Sequence, residues 1–535
     1  MKEYQVTVTR NGREQLCSCR EGENLLEALT RQGIYISAAC GGKGRCGKCG
    51  VRFSDGTVPV TEADRHCFSE EQIAEGMRLS CEVYLQADCR IEIESTDEAD
   101  FDVVTDYRQK NSLAEHADTA AGTGKEGSQI AIDIGTTTLA ASLVDAQSGE
   151  ILHAVTGVNH QRAYGADVIS RIQAANEGKL EELSQSIRRD LCGMICRLLS
   201  ESGAALSGIR RIAIAGNTTM GHLLMGYSCE TLGVYPFDPV NIDTTEVTFG
   251  ELFGEAGAED TLREEGAQIP VVLLPGISTY VGADISAGML SCGFDCSEKV
   301  NVLIDLGTNG EMAIGNRERI LVTSTAAGPA FEGGNISCGM GSVPGAICQV
   351  KISGTEVSCG TIGDRPPVGL CGTGVIETAC ELLKAELIDE TGMLDEDYFD
   401  DGFVLAKTPS GEEISFTQKD VREIQLAKAA VRAGLETLML RYGVTYDDID
   451  TLYLAGGFGF HLNLEKAAAI GLIPEELLDR AKAVGNSSLG GAAVWLTEPG
   501  AAERMERIIA VSEEIPLASD KDFNQFYMDS MFFEV

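Results

Sequence analysis

The sequence predicts a multidomain α/β chain: a small N-terminal domain gathered around four cysteines, then a body of two similar lobes facing each other across a cleft. Two observations carry the prediction. Residues 130–138, IAIDIGTTT, run from an apolar strand into an aspartate, a glycine and three hydroxyl residues. Residues 302–311, VLIDLGTNGE, repeat the pattern, with Asp305 lying 172 residues after Asp133. The second observation is a cysteine spacing, Cys40-x5-Cys46-x2-Cys49 in a glycine-rich loop, with Cys81 following 32 residues later.

Length and composition set the frame. A chain of 535 residues has room for three or four domains at roughly 150 residues each. Hydrophobic content of 44% with 23% charged residues is enough apolar material for several cores. The net charge of −40 argues against nucleic acid and anionic membranes as partners and favours a partner with a basic docking face. No basic–apolar leader is visible and no run approaches 18 apolar residues, so a cytoplasmic protein is expected. Eighteen cysteines without a secretory signal do not suggest a disulfide framework. Most, such as Cys192, Cys196, Cys229, Cys292 and Cys348, read as small buried residues in a reducing cytoplasm.

Taking the chain in order, residues 4–9 and 13–19 alternate around Asn11-Gly12, a hairpin signal. Residues 23–32 read as a short helix with Leu25, Leu26 and Leu29 inward. Glycines in the loop 40–50 let the backbone wrap a cofactor and aim N–H groups at sulfur. Four cysteines with a long gap before the last suit a [2Fe–2S] cluster. A structural zinc site is the competing reading, although Cys81 lacks the C-x2-C partner that a zinc ribbon usually supplies. Cys17 and Cys19 on one face of the hairpin, Cys67 in a polar helix and Cys89 on the last strand read as structural.

This spacing, with G-x-R-L-x-C at residues 76–81, resembles the plant- and adrenodoxin-type [2Fe–2S] ferredoxin domain, a β-grasp fold, over residues 1–95. The resemblance implies one-electron transfer at a potential of about −400 mV, with Cys40, Cys46, Cys49 and Cys81 as cluster ligands. Residues 1–94 carry twelve basic and fifteen acidic side chains, so nearly all of the negative charge lies downstream. Lys43, Arg45, Lys48 and Arg52 in and after the cluster loop read equally as a docking face for an acidic partner, including the rest of this chain, and as solvated charges. Residues 96–128 have linker composition; a flexible coil of about 30 residues spans roughly 30 Å, enough to swing a domain between donor and acceptor.

The body spans residues 129–298 and 299–535, one lobe each. Each repeat opens a β-meander: strands at 129–133, 138–145 and 151–158, then at 300–305, 311–314 and 319–325. Glycine permits the tight turn after each aspartate, and successive N–H groups in such a turn form a concavity for phosphate oxygens. A carboxylate beside an anion calls for a cation such as Mg2+. Taken singly the first stretch reads as a strand and a turn; its duplication makes it half of a clamp. Residues 451–459, TLYLAGGFG, add a strand ending in glycines that can lie flat against a planar ring.

Two phosphate-type hairpins followed by a glycine-rich strand end resemble the phosphate 1, phosphate 2 and adenosine motifs of the ASKHA superfamily (acetate and sugar kinases, heat-shock chaperones, actin). The longer stretches Gly216-Asn217-Thr218-Thr219-Met220, 274–278 with 281–284, 327–333, 369–374, and 417–420 leading into 425–428 point to one branch. Together with the ferredoxin-like start they look like the reductive activators of corrinoid-dependent methyltransferases. No cysteine follows Cys380, so the chain is similar to the [2Fe–2S] branch rather than to the branch with two C-terminal [4Fe–4S] clusters.

That resemblance implies ATP-dependent, one-electron reduction of inactive Co(II) to Co(I) on a partner corrinoid protein, fed by a low-potential electron donor. It implies that Asp133 and Asp305 orient Mg2+ and the attacking water, with Glu311 and Glu332 helping to place the water. Gly135, Thr136, Thr137 and Thr138, and Gly307, Thr308, Asn309 and Gly310, bind phosphates; Gly456, Gly457, Phe458 and Gly459 receive the adenosine. Asn217 reads evenly as a ligand to water or phosphate and as a helix cap. Residues 417–438 read as a capped helix with Val421, Ile424, Leu426, Ala427, Val431, Leu435 and Leu438 on a core face, while Gln418, Lys419, Arg422 and Lys428 either reach the nucleotide or are solvated. Cys371 reads as a small buried residue rather than a nucleophile. A homodimer is compatible with the sequence. An ATP-coupled electron donor to another low-potential acceptor and a nucleotide-switched redox sensor are the alternative functions.

Overall fold

The computed structural model describes residues 2–10, 13–36, 42, 44–45, 47–56, 58–93, 127–254, 266–354, 356–456 and 462–533. The linker proposed at 96–128 falls almost wholly outside them, and Ser128 already belongs to the first strand of the body.

The N-terminal domain is a five-stranded sheet in the order β2-β1-β5-β3-β4, with β1 Glu3–Arg10, β2 Arg13–Arg20, β3 Gly50–Asp55, β4 Met77–Leu79 and β5 Cys89–Glu92. Arg10 pairs with Arg13, which leaves the two-residue connection that Asn-Gly favours. The helix Leu25–Arg31 is capped by the Asn24 side chain and buries Leu25, Leu26 and Leu29, as the pattern predicts. Cys17, Cys19 and Cys89 are buried in this small core.

The body contains two six-stranded sheets of the same design. The first is ordered β10-β11-β9-β6-β7-β8, from β6 Ser128–Ile134, β7 Thr138–Asp145, β8 Ile151–Val158, β9 Ile209–Gly216, β10 Thr245–Thr248 and β11 Pro270–Leu273. The second uses β12 Val300–Leu306, β13 Gly310–Gly315 and β14 Ile320–Thr325. A small sheet then intervenes (β15 Ala346–Ser353, β16 Glu356–Thr361, β17 Gly369–Leu370), followed by a hairpin (β18 Phe403–Lys407, β19 Glu413–Phe416). Strands β20 Ile449–Ala455, β21 Ala481–Gly485 and β22 Ser512–Glu514 complete the order β21-β20-β12-β13-β14-β22. In both sheets the motif strand, β6 or β12, has its meander partner antiparallel on one side and a parallel strand on the other. Asp133 thus sits level with Ala215 of β9, and Asp305 with Ala455 of β20.

Glycine closes each parallel neighbour for one steric reason. Gly216 and Gly456 have φ of 157° and 116°, and a Cβ there would meet the Ile134 carbonyl oxygen at 2.8 Å and the Leu306 carbonyl oxygen at 2.3 Å. Only a residue without a side chain lets these strand ends lie against the motif strands.

Helices Ala283–Ser291 and Ser487–Thr497 pack on each other between the sheets and join them into one apolar cluster. A Cβ on Gly491 would meet the Ala287 carbonyl oxygen at 1.9 Å, so the two helices approach backbone to backbone. Helix Ser487–Thr497 also rests on the first sheet, where the Gln129 amide donates to the Leu496 carbonyl at 3.0 Å. The lobes read from chain order therefore interlock: the C-terminal third contributes an element to the first lobe.

The long helix Gln418–Tyr442 starts with the expected capping box of Thr417 and Asp420. Its predicted core face is buried except at Leu426, which is 43% exposed. Lys428 departs from both of its predicted roles: it is buried and donates to the Ser530 and Phe532 carbonyls, each at 2.6 Å, pinning the C-terminal segment. Gln418 binds Leu394 and Gly392, and Arg422 binds Gln425, so neither turns towards a nucleotide. Among the described residues no helix is long and apolar enough to cross a membrane.

The N-terminal domain rests on the first lobe. Tyr35 stacks on His160 with ring centroids 4.1 Å apart, and Lys179 pairs with Glu27 at 2.9 Å. Of the suggested cluster-loop bases, Arg52 pairs with Glu75 inside its own domain, and Lys43 lies outside the described residues.

Candidate functional site

Two sites emerge. In the N-terminal domain, Cys49 and Cys81 bring their sulfurs to 3.3 Å, well beyond the roughly 2.05 Å of a disulfide. The Ser80 hydroxyl and N–H both donate to the Cys49 carbonyl, and the Asn24 amide donates to the Cys81 carbonyl at 2.7 Å, so both cysteines are fixed from behind. The hydrogen bond shared by the Cys49 and Cys81 thiols draws Cys49 down to about 6 against the opposing effect of burial, which favours a ligating thiolate at neutral pH. The pair fits two ligands of an iron–sulfur cluster. Cys40 and Cys46 lie outside the described residues. Cys67, at the end of helix Glu62–Cys67, points its thiol at the Gly44 carbonyl, 3.9 Å away.

The second site is the cleft between the two motif strands, a cavity of about 180 Å³. Its walls bring together Asp133, Gly135 to Thr138 and Asn217 from the first sheet with Asp305, Gly307 to Asn309, Glu311, Glu332 and Gly456 from the second. Gly310 stands apart: it begins β13 and its carbonyl accepts from the Thr325 hydroxyl. Gly457, Phe458 and Gly459 lie outside the described residues.

Each hairpin is tight for a local reason. The Gly135 N–H donates to the Thr138 carbonyl at 3.0 Å, and the Gly307 N–H to the Asn309 carbonyl at 3.0 Å. The first hairpin is also held from behind. The Asn159 amide donates to the Gly135 carbonyl at 2.9 Å, its backbone N–H donates to the Thr137 carbonyl at 3.0 Å, and the Arg171 guanidinium donates to the Thr136 carbonyl at 2.6 Å. Asn217 takes the predicted cap position. It caps helix Thr218–Met225 by accepting from the Met220 N–H, and its amide donates to the Thr136 hydroxyl at 3.1 Å.

Asp133 is held by residues from the far end of the chain. The Asn486 amide donates to it at 2.8 Å and the Ser488 hydroxyl at 2.7 Å, both at the start of helix Ser487–Thr497. Sequence reasoning gave Asn486 and Ser488 no role. It also passed over Asp284, which projects into the cleft from the first turn of helix Ala283–Ser291 and was noted only as part of a longer stretch. Asn159 and Arg171 carried no signal, being single polar residues without a motif around them.

Electrostatically the cleft is crowded with carboxyl groups. Desolvation raises all five, and mutual repulsion adds to it: Asp284 rises to about 7 and Asp305 to about 8, each further raised by Asp133. Glu311 stands well above the carboxylate range through burial and the charges of Asp284 and Asp305. Burial likewise raises Asp133 and Glu332, opposed by hydrogen bonds from Ser488 and Asn486 and from Thr308. The Thr308 hydroxyl donates to Glu332 at 2.8 Å. Carboxyl groups this close cannot all ionise near neutral pH without a cation among them.

Cys371 is buried, its thiol faces the Ile347 carbonyl at 3.2 Å, and burial pushes it up, which leaves it inert.

Comparison with known proteins agrees with this layout. Residues 8–86 match the model of the 2Fe-2S iron-sulfur cluster binding domain, residues 128–297 the RACo middle region, and residues 299–535 the C-terminal domain of RACo, the ASKHA domain. The chain is 32% identical over 425 residues to the corrinoid activation enzyme RamQ of Eubacterium limosum, covering 76% of this chain and 70% of that protein. It is 29% identical over 438 residues to the [Co(II) methylated amine-specific corrinoid protein] reductase of Methanosarcina barkeri, covering 75% and 76%. Among solved structures it is similar to a reductive activator for corrinoid, iron-sulfur protein, with a TM-score of 0.69, 29% identity and coverage of 99% of this chain and 98% of that one.

Proposed function

The chain belongs to the RACo family, and from that premise we propose that it reactivates a partner corrinoid protein by one-electron reduction of inactive Co(II) to Co(I), driven by ATP. The observation that carries the reading is the union, in one chain, of a [2Fe–2S] cysteine domain with two facing Asp-x-Gly-Thr hairpins on a shared cleft.

Cys49 and Cys81, with Cys40 and Cys46, would hold a [2Fe–2S] cluster, which would supply the single electron. Reduction to Co(I) lies uphill from such a cluster, and for one electron each 59 mV of gap costs about a factor of ten in the equilibrium constant. Binding energy in the cleft is the available compensation. The two hairpins cradle the phosphates with their backbone N–H groups, and Gly456 gives the adenosine a flat approach. Among the described residues no three His, Cys, Asp or Glu side chains form a ready metal cage. Mg2+ would therefore be held by one or two cleft carboxylates together with the nucleotide phosphates, the usual mode for this ion. Asp133, kept in place by Asn486 and Ser488, and Asp305 are the nearest candidates. Asp284, with a carboxyl near neutrality, is poised to accept a proton from attacking water. A low-potential donor refills the cluster, and the reducing cytoplasm is the setting that this chemistry asks for.

The test mixes anaerobic, iron-loaded protein with a Co(II) corrinoid protein, a reductant and ATP. A Co(I) spectrum is expected, lost with Asp305→Ala while the cluster absorbance stays. ATP-dependent reduction of a different acceptor, with no corrinoid protein reduced, would refute the reading.

A further inference from the structure

The three carbonyls of the first phosphate hairpin are bonded from behind by two residues that lead straight to the N-terminal domain. Asn159, fully buried, holds the Gly135 and Thr137 carbonyls. Its chain neighbour is His160, whose ring carries Tyr35. Arg171, also fully buried, holds the Thr136 carbonyl and the Gly165 carbonyl. Its helix, Val168–Ala174, runs into the kinked turn Ala175–Lys179, and Lys179 closes that turn on Glu27. These two contacts of the ferredoxin-like domain with the first lobe are therefore each one short relay from the hairpin.

The contacts themselves are slight. One is a ring stack, steadied by His160 bonding Asp190 at 2.7 Å and by Arg189 beside the Tyr35 hydroxyl. The other is an ion pair with about half of each side chain in solvent. Interactions of this kind together shift an equilibrium by about tenfold. A ligand with different affinities for the docked and undocked states can reverse such a contact. Tyr35 lies five residues before Cys40 in the chain.

We propose that the first lobe carries a nucleotide-released latch for the ferredoxin-like domain, in which Asn159 and Arg171 are positioning residues that report occupancy of hairpin 135–137 to the Tyr35–His160 stack and the Glu27–Lys179 pair. Phosphate draws the hairpin towards the cleft, the bonded carbonyls carry Asn159 and Arg171 with them, and the two contacts part. This inference rests on the reading of the hairpin as a phosphate site.

Hydrogen–deuterium exchange on the full, cluster-loaded chain, with and without Mg2+ and adenylyl imidodiphosphate, tests both levels. The expected result is protection at 133–138 together with exchange at 25–36 that quickens by about tenfold. Protection of the hairpin with unchanged or slower exchange at 25–36 overturns the latch and leaves the nucleotide site standing. No protection at 133–138 overturns the reading beneath it. His160→Ala should give fast exchange at 25–36 before nucleotide is added. Asn159→Ala should keep hairpin protection yet lose the response at 25–36; a wild-type response in either variant overturns the proposed relay.

Discussion

Replacing Asn486 by aspartate alters one hydrogen-bonding atom and almost nothing in shape. In the wild type the Asn486 amide nitrogen donates to Asp133 at 2.8 Å, while its oxygen accepts from the Leu489 N–H at 2.8 Å and caps the helix. Aspartate caps as well as asparagine, so the helix start survives. The lost interaction is a hydrogen bond to a charged group, worth about 1.5–3 kcal/mol. If Asp133 must be ionised and fixed to bind Mg2+-nucleotide, affinity should fall about 10- to 150-fold at neutral pH. The new carboxyl also faces one whose protonation burial already favours, so the pair shares a proton. That proton restores a donor to Asp133 at low pH and is lost as pH rises. Affinity in Asn486→Asp should therefore decline more steeply than in the wild type as pH rises across the neutral range. Equilibrium titration with a fluorescent ATP analogue and Mg2+ across that range, with thermal unfolding to check the fold, measures both effects. Wild-type affinity with an unshifted pH profile would refute the assignment of Asp133 to the nucleotide site.

Gly456→Ala should destabilise by about 2 kcal/mol or more, because its Cβ meets the Leu306 carbonyl at 2.3 Å at a φ of 116°. Gly221→Ala, in open space within helix Thr218–Met225, should leave the melting temperature unchanged or higher. The raised carboxyls of Asp284 and Asp305 bind more protons folded than unfolded, so ligand-free stability should fall as pH climbs from about 4 towards about 8. Asp305→Asn should flatten that slope in denaturant titrations. Lys428→Met should expose residues 521–533 to limited proteolysis while nucleotide affinity stays within about twofold, since the lysine pins the C-terminus rather than reaching the cleft.

What the sequence made legible is local and periodic. The strand bounds 138–145 and 151–158 coincide with β7 and β8, because apolar runs closed by Gly-Thr and Ser-Gly turns leave the backbone few choices. The duplicated motif likewise announces a duplicated sheet, and Thr417 with Asp420 announces a capped helix. Long-range closure left no such trace. Asp133 finds Asn486 353 residues away only after both sheets have formed, and no spacing rule links them. Leu426 and Lys428 were placed the wrong way round for a related reason. Helix Gln418–Tyr442 is buried on most sides, so hydrophobicity does not mark its one open strip. Lysine can be buried there because the last carbonyls of the chain converge on its ammonium. Asp284 was hidden inside a stretch read for its resemblance, although an acidic residue in the first turn of a helix facing two other aspartates is a chemical signal in its own right.

The charge of the cleft explains why a nucleotide with its cation, rather than the electron donor alone, should govern this chain. Burial raises Asp133, Asp284, Asp305, Glu311 and Glu332, and repulsion from neighbouring carboxylates adds to it at Asp284, Asp305 and Glu311. A polyanionic triphosphate entering alone would meet the same repulsion. A divalent cation between phosphate and carboxylates changes its sign, because each carboxyl that gives up its proton then gains a partner. Occupancy is thus conditional on both components arriving together. The anchor of Asp133 belongs to helix Ser487–Thr497, which is packed against helix Ala283–Ser291 and both sheets. Any displacement of Asp133 towards a bound cation is therefore transmitted to the helix pair that joins the lobes. The hairpin beside it is tied in turn to Asn159 and Arg171. On the proposed reading, binding energy released at a cation site would reach both the lobe junction and the seat of the ferredoxin-like domain, which is where an uphill electron transfer can use it.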